Sequence, residues 1–295
     1  MAGKIQIPDE LKKDLPQTKW GKILAATPII MTVVATMLAG LASSEMTKAQ
    51  YDRASAAQLQ SKAGDQWNYY QAKKLRGAVA RNSMDLLAAT ADIAPLNPAV
   101  LGQADAATMA AFMKGQIPPA LDAKYDDNVA AALTAVASSK PETEVTVALA
   151  KVTVEQLDTA MIAARAAADA FDAATKPINK TSDKLDEALM FSDKPVFRSF
   201  SVARLRYTAA RYDAEARLNQ AVANVYELQV RKANLSAERH HRRSAKFFFG
   251  MLAAQLGVIV ATFSIAAQKK SLLWSIAAAA GATAVSFAAY VYFCI

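Results

Sequence analysis

Few residues in this chain could do chemistry. Its 295 residues include one cysteine and two histidines. His240 and His241 are adjacent, so on a helix they project about 100° apart and do not form the i,i+4 pair that suits a metal. Cys294, alone and penultimate, cannot build a disulfide scaffold or a thiolate cluster. Carboxylates remain as acid–base candidates. Asp126-Asp127 and the Asp183, Asp186, Glu187 group could pair as general acid and base if a pocket held them. Nothing around them indicates a substrate pocket. The chain also lacks a Gly-rich phosphate loop, a Gly-x-Ser-x-Gly elbow and a Cys-x-x-Cys motif. The expectation is a protein that is not an enzyme and uses no cofactor and no metal.

Two clusters point instead to recognition. Asp65, Gln66, Trp67, Tyr70, Gln71 and Lys73 fall within three turns of a helix. Asp65 with Tyr69, and Gln66 with Tyr70, are i,i+4 neighbours, while Trp67 and Gln71 share another face. Such a polar-aromatic patch serves either a partner or subunit interface, or packing within a helical hairpin with Gln and Asp bonding across it. The second cluster is basic: Arg231, Lys232, Arg239, Arg242, Arg243 and Lys246. Nucleic acid attracts such charge, but this run abuts an apolar segment. Anionic lipid is therefore the expected contact for Arg239, Arg242, Arg243 and Lys246, with no nucleic-acid partner.

The run Asp65-Gln66-Trp67-Asn68-Tyr69-Tyr70-Gln71-Ala72-Lys73 and the later Glu238-Arg239-His240-His241-Arg242-Arg243 also carry a family likeness. Through them the chain resembles the uncharacterised bacterial DUF4337 membrane-protein family, over roughly residues 20–90 and 205–295. The resemblance implies a three-span membrane protein without a known activity, and it assigns no catalytic residue. The middle of the chain reads as a variable insert outside it.

The elements that must position these clusters follow from hydropathy. Residues 23–42, 247–267 and 272–293 are uncharged and long enough to cross the roughly 30 Å hydrocarbon core as helices. The first run is too long for a simple cleaved leader. Trp20, Trp274, Tyr290 and Tyr292 stand at the run ends, where aromatic side chains prefer the membrane interface. Gln268-Lys269-Lys270-Ser271 would join the last two spans as a tight hairpin. Small residues recur every fourth position: Thr32, Thr36 and Gly40 in the first span, and Ala253, Gly257 and Ala261 in the second. Such faces let helices approach closely in lipid. With Gln255 the main polar side chain at depth and no ionisable group, active transport is not expected.

Between the spans, residues 43–94 and 199–246 are rich in helix formers and poor in Gly and Pro. Their matched lengths predict an antiparallel, coiled-coil-like stalk running directly into the spans. Ala56, Leu59, Ala63, Trp67 and Tyr70 form one seam. Val202, Leu205, Ala209 and Tyr212 form the other, repeated out of phase by Leu218, Val222 and Val225. Residues 95–198 form an acidic, alanine-rich helical head, cut into short pieces by Pro118-Pro119, Pro141, Pro177 and Pro195. Residues 92–198 hold 10 Lys and Arg against 15 Asp and Glu, whereas the whole chain nets +8. The basic excess therefore lies in the arms beside the membrane.

The reading is an all-α membrane protein: a tail at 1–22, three spans, a two-helix stalk and a helical head. Short-segment charge places the N-terminus in the cytoplasm and the head in the periplasm of a bacterial inner membrane, against the pull of the basic cluster. The expected role is a non-enzymatic scaffold or accessory subunit that forms a homo-oligomer or docks onto other membrane-protein subunits. The alternatives are an oligomeric sensor or channel module, and a membrane-anchored enzyme using head carboxylates.

Overall fold

The computed structural model describes residues 19–102, 104–266 and 272–294, without the side chains of Trp20, Leu24 and Ala266. Among these residues the chain is helical and contains no strand. The helices are α1 (Lys19–Thr90), α2 (Ala106–Lys114), α3 (Asp127–Ala137), α4 (Glu142–Ala150), α5 (Val154–Leu189), α6 (Lys194–Ala266) and α7 (Leu272–Cys294), with one 3-10 turn at Pro98–Leu101. Three of them, α1, α6 and α7, are long and apolar enough to cross a membrane. The chain divides into two compact units, Met1–Ala54 with Asn234–Ile295, and Ser55–Ala233. The 72-residue α1 and the 73-residue α6 each contribute to both. The N-terminal lysines Lys4, Lys12 and Lys13, and the tip Gln268–Ser271, lie outside the described residues.

The first unit is a three-helix bundle. Met31, Ala35, Leu38 and Ala42 repeat at 4-3-4 spacing along α1 and pack on Phe247 and Ala254 of α6 and on Ala284 and Val291 of α7. Most inward residues are small. Many large ones point out: Ile29, Ile30, Val33 and Met37 on α1, and Leu256, Ile259 and Phe263 on α6 are exposed, while Met31, Leu38 and Phe247 point in. A water-soluble bundle does the reverse, whereas close packing of small residues is what holds helices together in lipid. Several hydroxyls are satisfied locally, whereas Ser264 Oγ is buried without a hydrogen-bond partner. Thr32 Oγ1 donates to Pro28 O at 2.8 Å, Thr36 Oγ1 to Thr32 O at 2.9 Å and Thr262 Oγ1 to Val258 O at 2.8 Å. Across the bundle, Ser244 Oγ donates to Ala42 O at 2.7 Å, and Trp274 Nε1 to Thr27 Oγ1 at 3.3 Å.

The second unit is built around residues 194–233 of α6. Against it, residues 55–90 of α1 run antiparallel: Gly77 packs on Tyr212, and Ser199 Oγ donates to Ala94 O at 2.8 Å. The shorter helices cover other faces of α6. Phe112 of α2, with Phe200 and Tyr207 of α6, makes an aromatic cluster with centroids 5.6 and 5.7 Å apart. Phe171 of α5 packs with Ala214 and Leu218. Because α6 is enclosed on more than one side, Tyr207, Ala214 and Val225 on one face and Ala209, Ala216 and Ala223 on the opposite face are all buried. That accounts for the broken phase of its heptads.

Local chemistry sets the helix boundaries. The Asp105 carboxylate caps α2 by accepting from Thr108 N, and the Asp126 carboxylate caps α3 by accepting from Asn128 N. Thr153 and Gln156 form a reciprocal capping box for α5. Gly115 ends α2 in the left-handed region at φ 65°. One expectation fails: Pro177 does not cut the head, because α5 continues through it for 36 residues. The packing of Phe171 and Ile178 on opposite sides of that proline holds the helix across the missing hydrogen bond.

Candidate functional site

The polar-aromatic run on α1 does not form one surface. Its side chains wrap the helix and separate into three groups. Gln66 and Lys73 turn towards α5 and α6, joined by Tyr69, and line a cleft of about 520 Å³. Trp67 and Tyr70 are half-buried and meet edge to face at 5.4 Å and 88°. Asp65 and Gln71 are exposed.

The cleft has a charged wall and an apolar floor. Lys73 Nζ pairs with Glu215 Oε2, and Glu215 is itself buried. Arg211 Nε lies 3.5 Å from the other Glu215 oxygen. The Lys73 ammonium also sits 5.3 Å from the Tyr212 ring centroid. Beside the cleft, Arg165 of α5 donates to the Tyr226 hydroxyl and lies over its ring. Asn219 Nδ2 donates to Glu215 O at 2.8 Å. The floor is Phe171, Leu218 and Val222. Gln66 Oε1 is buried without a hydrogen-bond partner. Farther along α6, Tyr207 donates to Asn179 Oδ1 at 3.2 Å, and burial pushes its hydroxyl up to about 12, helped by the Glu215 charge and opposed by Arg211.

A second polar centre lies in the three-helix unit. Glu45 of α1 is buried, with Oε2 2.6 Å from His240 Nδ1 and Oε1 3.1 Å from Lys48 Nζ. Burial pushes this carboxyl up, but the hydrogen bonds with His240 and Lys48 and their charges outweigh it and hold it below the ordinary value. The basic cluster splits here. Arg239 and Arg242 are exposed, and Arg242 Nε donates to Glu238 Oε1 at 2.9 Å. Arg243 is half-buried with its Nε enclosed, and Lys246 Nζ lies 5.8 Å from the Tyr290 ring centroid. In the second unit, Arg231 is bound to Glu142 at 3.0 Å.

The small-residue faces also separate. Gly257 and Ala261 are buried in the bundle and Ala253 is half-buried. Thr32, Thr36 and Gly40 point outward, and a Cβ on Gly40 would meet nothing within 4 Å. The face of α1 that packs within the chain is the adjacent one through Met31, Ala35 and Leu38. The head carboxylates take structural places: Asp126 caps α3, and Asp186 pairs with Arg204. Among the described residues, no three His, Cys, Asp or Glu side chains come together as a metal-binding group.

Sequence reasoning passed over Glu45 and Glu215. Glu45 stands three residues beyond the first apolar run, and that closeness to a span was the available signal. Glu215 gave none, since its burial depends on packing around α6.

Residues 20–117 match DUF4337, a domain of unknown function. The DUF4337 match extends past the stalk expected from resemblance, through the 3-10 turn and α2, and it does not include residues 205–295. It therefore contains Glu45, Gln66 and Lys73 but not His240 and Glu215, the α6 partners of Glu45 and Lys73. No curated protein and no solved structure matches the chain.

Proposed function

We propose that the protein is a non-enzymatic membrane scaffold or accessory subunit that associates with further copies of itself. The observation that carries this reading is a second seam on α1, opposite the one packed on α6. Ala72, Leu75, Val79, Asn82, Leu86 and Ala89 follow a 3-4-3-4-3 spacing, and all six are exposed. Leu75 and Leu86 are each 65% exposed and Val79 54%. A heptad seam needs a partner carrying the same repeat, which a second copy supplies. Copies anchored in one membrane with one orientation present α1 in parallel, so each seam residue meets its own counterpart. Asn82 would then face Asn82 of the second copy and fix the register, as a single polar seam residue does in coiled coils. Gln255 adds support: it is exposed on an apolar stretch of α6, and in lipid an unpaired amide favours a neighbouring chain.

The membrane setting belongs to the same proposal. The large-outside, small-inside arrangement of the three-helix unit favours embedding in a lipid bilayer, on this reading the bacterial inner membrane. Arg243 and Lys246 are drawn against the protein, which weakens the basic cluster as a determinant of orientation. The short lysine-bearing segments then favour a cytoplasmic N-terminus and a periplasmic second unit.

The test is cross-linking of the full chain in native-like lipid, in a Cys294→Ser background. Val79→Cys and Leu86→Cys should each form a disulfide-linked dimer on oxidation, while Gln71→Cys, beside the seam, should not. Replacing Leu75, Val79 and Leu86 together by Glu should leave a monomer by single-molecule photobleaching. A parent chain that is strictly monomeric and partner-free in native-like lipid overturns the reading.

A further inference from the structure

Within the three-helix unit α6 carries two stripes half a turn apart. Gly250, Ala254, Gly257, Ala261 and Ser264 follow a 4-3-4-3 spacing and are buried. Gly250 lies against Leu38 and Ala284, and Gly257 against Met31 and Ala277. Phe248, Leu252, Gln255, Ile259 and Thr262 follow the same spacing on the opposite side, and all five are exposed. This outer stripe has a polar residue at its centre. Thr262 keeps its hydroxyl within the helix, on Val258 O. Gln255 makes no hydrogen bond among the described residues. The nearest charged residue on α6 is Lys246, nine positions or about 13 Å away, too far for a Gln side chain to reach that level. An amide held at such depth in hydrocarbon has lost its water and gains by meeting another hydrogen-bonding group. A Gln amide is both donor and acceptor. Copies inserted in one orientation carry Gln255 at one depth, so a second copy brings the matching group to the level where it is needed. A different protein would have to place a polar group there independently.

We propose that a second copy of this chain docks on the outer stripe of α6, with the two Gln255 amides hydrogen-bonded to each other. The inference rests on the membrane setting and self-association proposed above, and it adds a contact that does not involve the α1 seam. The two α6 helices run parallel, and Leu252 and Ile259 meet their counterparts on either side of the amide pair. Lipid tails are as apolar as Leu and Ile, so the amide pair supplies the preference for a protein partner over lipid and fixes the register. A hydrogen bond of this kind shifts helix association in lipid by about three- to tenfold. The α6 contact therefore holds two copies on its own only at high chain density.

The test uses the full chain in liposomes. In the Cys294→Ser background, Leu252→Cys and Ile259→Cys should each form a disulfide-linked dimer on oxidation. Val285→Cys, at an exposed position of α7, should not. The strength of the contact is read by Förster transfer between copies labelled at Cys294, with Leu75, Val79 and Leu86 replaced by Glu to remove the α1 seam. At chain densities far above those of photobleaching, transfer should exceed that of randomly placed dyes. Gln255→Leu should raise the dissociation midpoint about three- to tenfold, and Gln255→Asn, which keeps the amide, should stay within about twofold of the parent. Circular dichroism of each variant verifies the fold. Transfer no greater than random overturns the proposal. So does a midpoint that Gln255→Leu leaves unchanged or that Gln255→Asn shifts equally, or a Leu252→Cys chain that cross-links only to another protein. Dimers through Val79→Cys but not through Leu252→Cys overturn this contact alone, and the reverse result overturns only the α1 seam.

Discussion

Glu45 on α1 and His240 on α6 face each other inside the three-helix unit, with Oε2 2.6 Å from Nδ1. Lys48 holds the second carboxylate oxygen. A charged group buried this way is stabilising only while its partners remain. Glu45→Gln is expected to lower stability by about 1.5–3 kcal/mol at pH 7, the range for hydrogen bonds to charged groups. Thermal unfolding in a mild detergent reads the loss.

The same carboxyl predicts a pH dependence. Its folded pKa lies below the ordinary 4.5, so the folded chain binds this proton less readily than the unfolded chain. The stabilisation is complete above about pH 4.5 and is lost as pH falls through the lowered folded value. The melting temperature of the parent should fall more steeply with acid than that of Glu45→Gln. Parallel slopes between pH 5 and 3 would contradict this.

The glycines of the bundle should rank in an order that distance alone does not give. A Cβ at Gly257 would lie 2.3 Å from Met31 Cε, the free end of a flexible side chain. A Cβ at Gly250 would lie 3.2 Å from the Ala284 carbonyl and 3.2 Å from Phe287 Cβ, neither of which can swing away. Gly250→Ala should therefore cost about 1–3 kcal/mol and Gly257→Ala less. Gly40→Ala, which meets nothing, should be neutral or gain up to about 1 kcal/mol from helix propensity. Comparative melting in one detergent orders the three.

In the second unit, Glu215→Ala would leave Lys73 without its buried partner. Because the Lys73 side chain is 27% exposed and can rehydrate, a loss of about 1–3 kcal/mol is expected. Replacing both, Lys73→Met with Glu215→Leu, should recover most of it. A double-mutant cycle by chemical denaturation measures the coupling.

Phe112→Ala should cost about 3–5 kcal/mol, since Phe112 is 1% exposed between Phe200 and Tyr207. Near-ultraviolet circular dichroism would report the loosened aromatic cluster, while the exposed Phe191→Ala should leave both spectrum and stability unchanged.

Apolar length was enough to mark the candidate spans, since 20 uncharged residues leave few alternatives. The long helices were legible from composition and from the scarcity of Gly and Pro. The seam through Ala56, Ala63 and Trp67 was also legible, because it follows one period. The outer seam through Leu75, Val79 and Leu86 escaped notice because only packing shows which apolar stripe is already occupied. The polar-aromatic run was legible as a cluster on α1, whereas which of its side chains turn towards α5 and α6 is decided by packing. Pro177 misled because a proline signals a break locally, while tertiary packing decides whether the helix ends.

The partners of the first apolar helix segment lie far along the chain: Glu45 waits for a residue 195 positions later, and Ala42 for one 202 positions later. At roughly 5–20 residues per second, synthesis of that interval takes about 10–40 s. During this time the N-terminal segment has no bundle to join. It must wait without its partners within the chain, Glu45 unpaired with His240, until α6 and α7 have been made. Biogenesis therefore has a built-in waiting state, whose lifetime is set by translation rate rather than by folding rate.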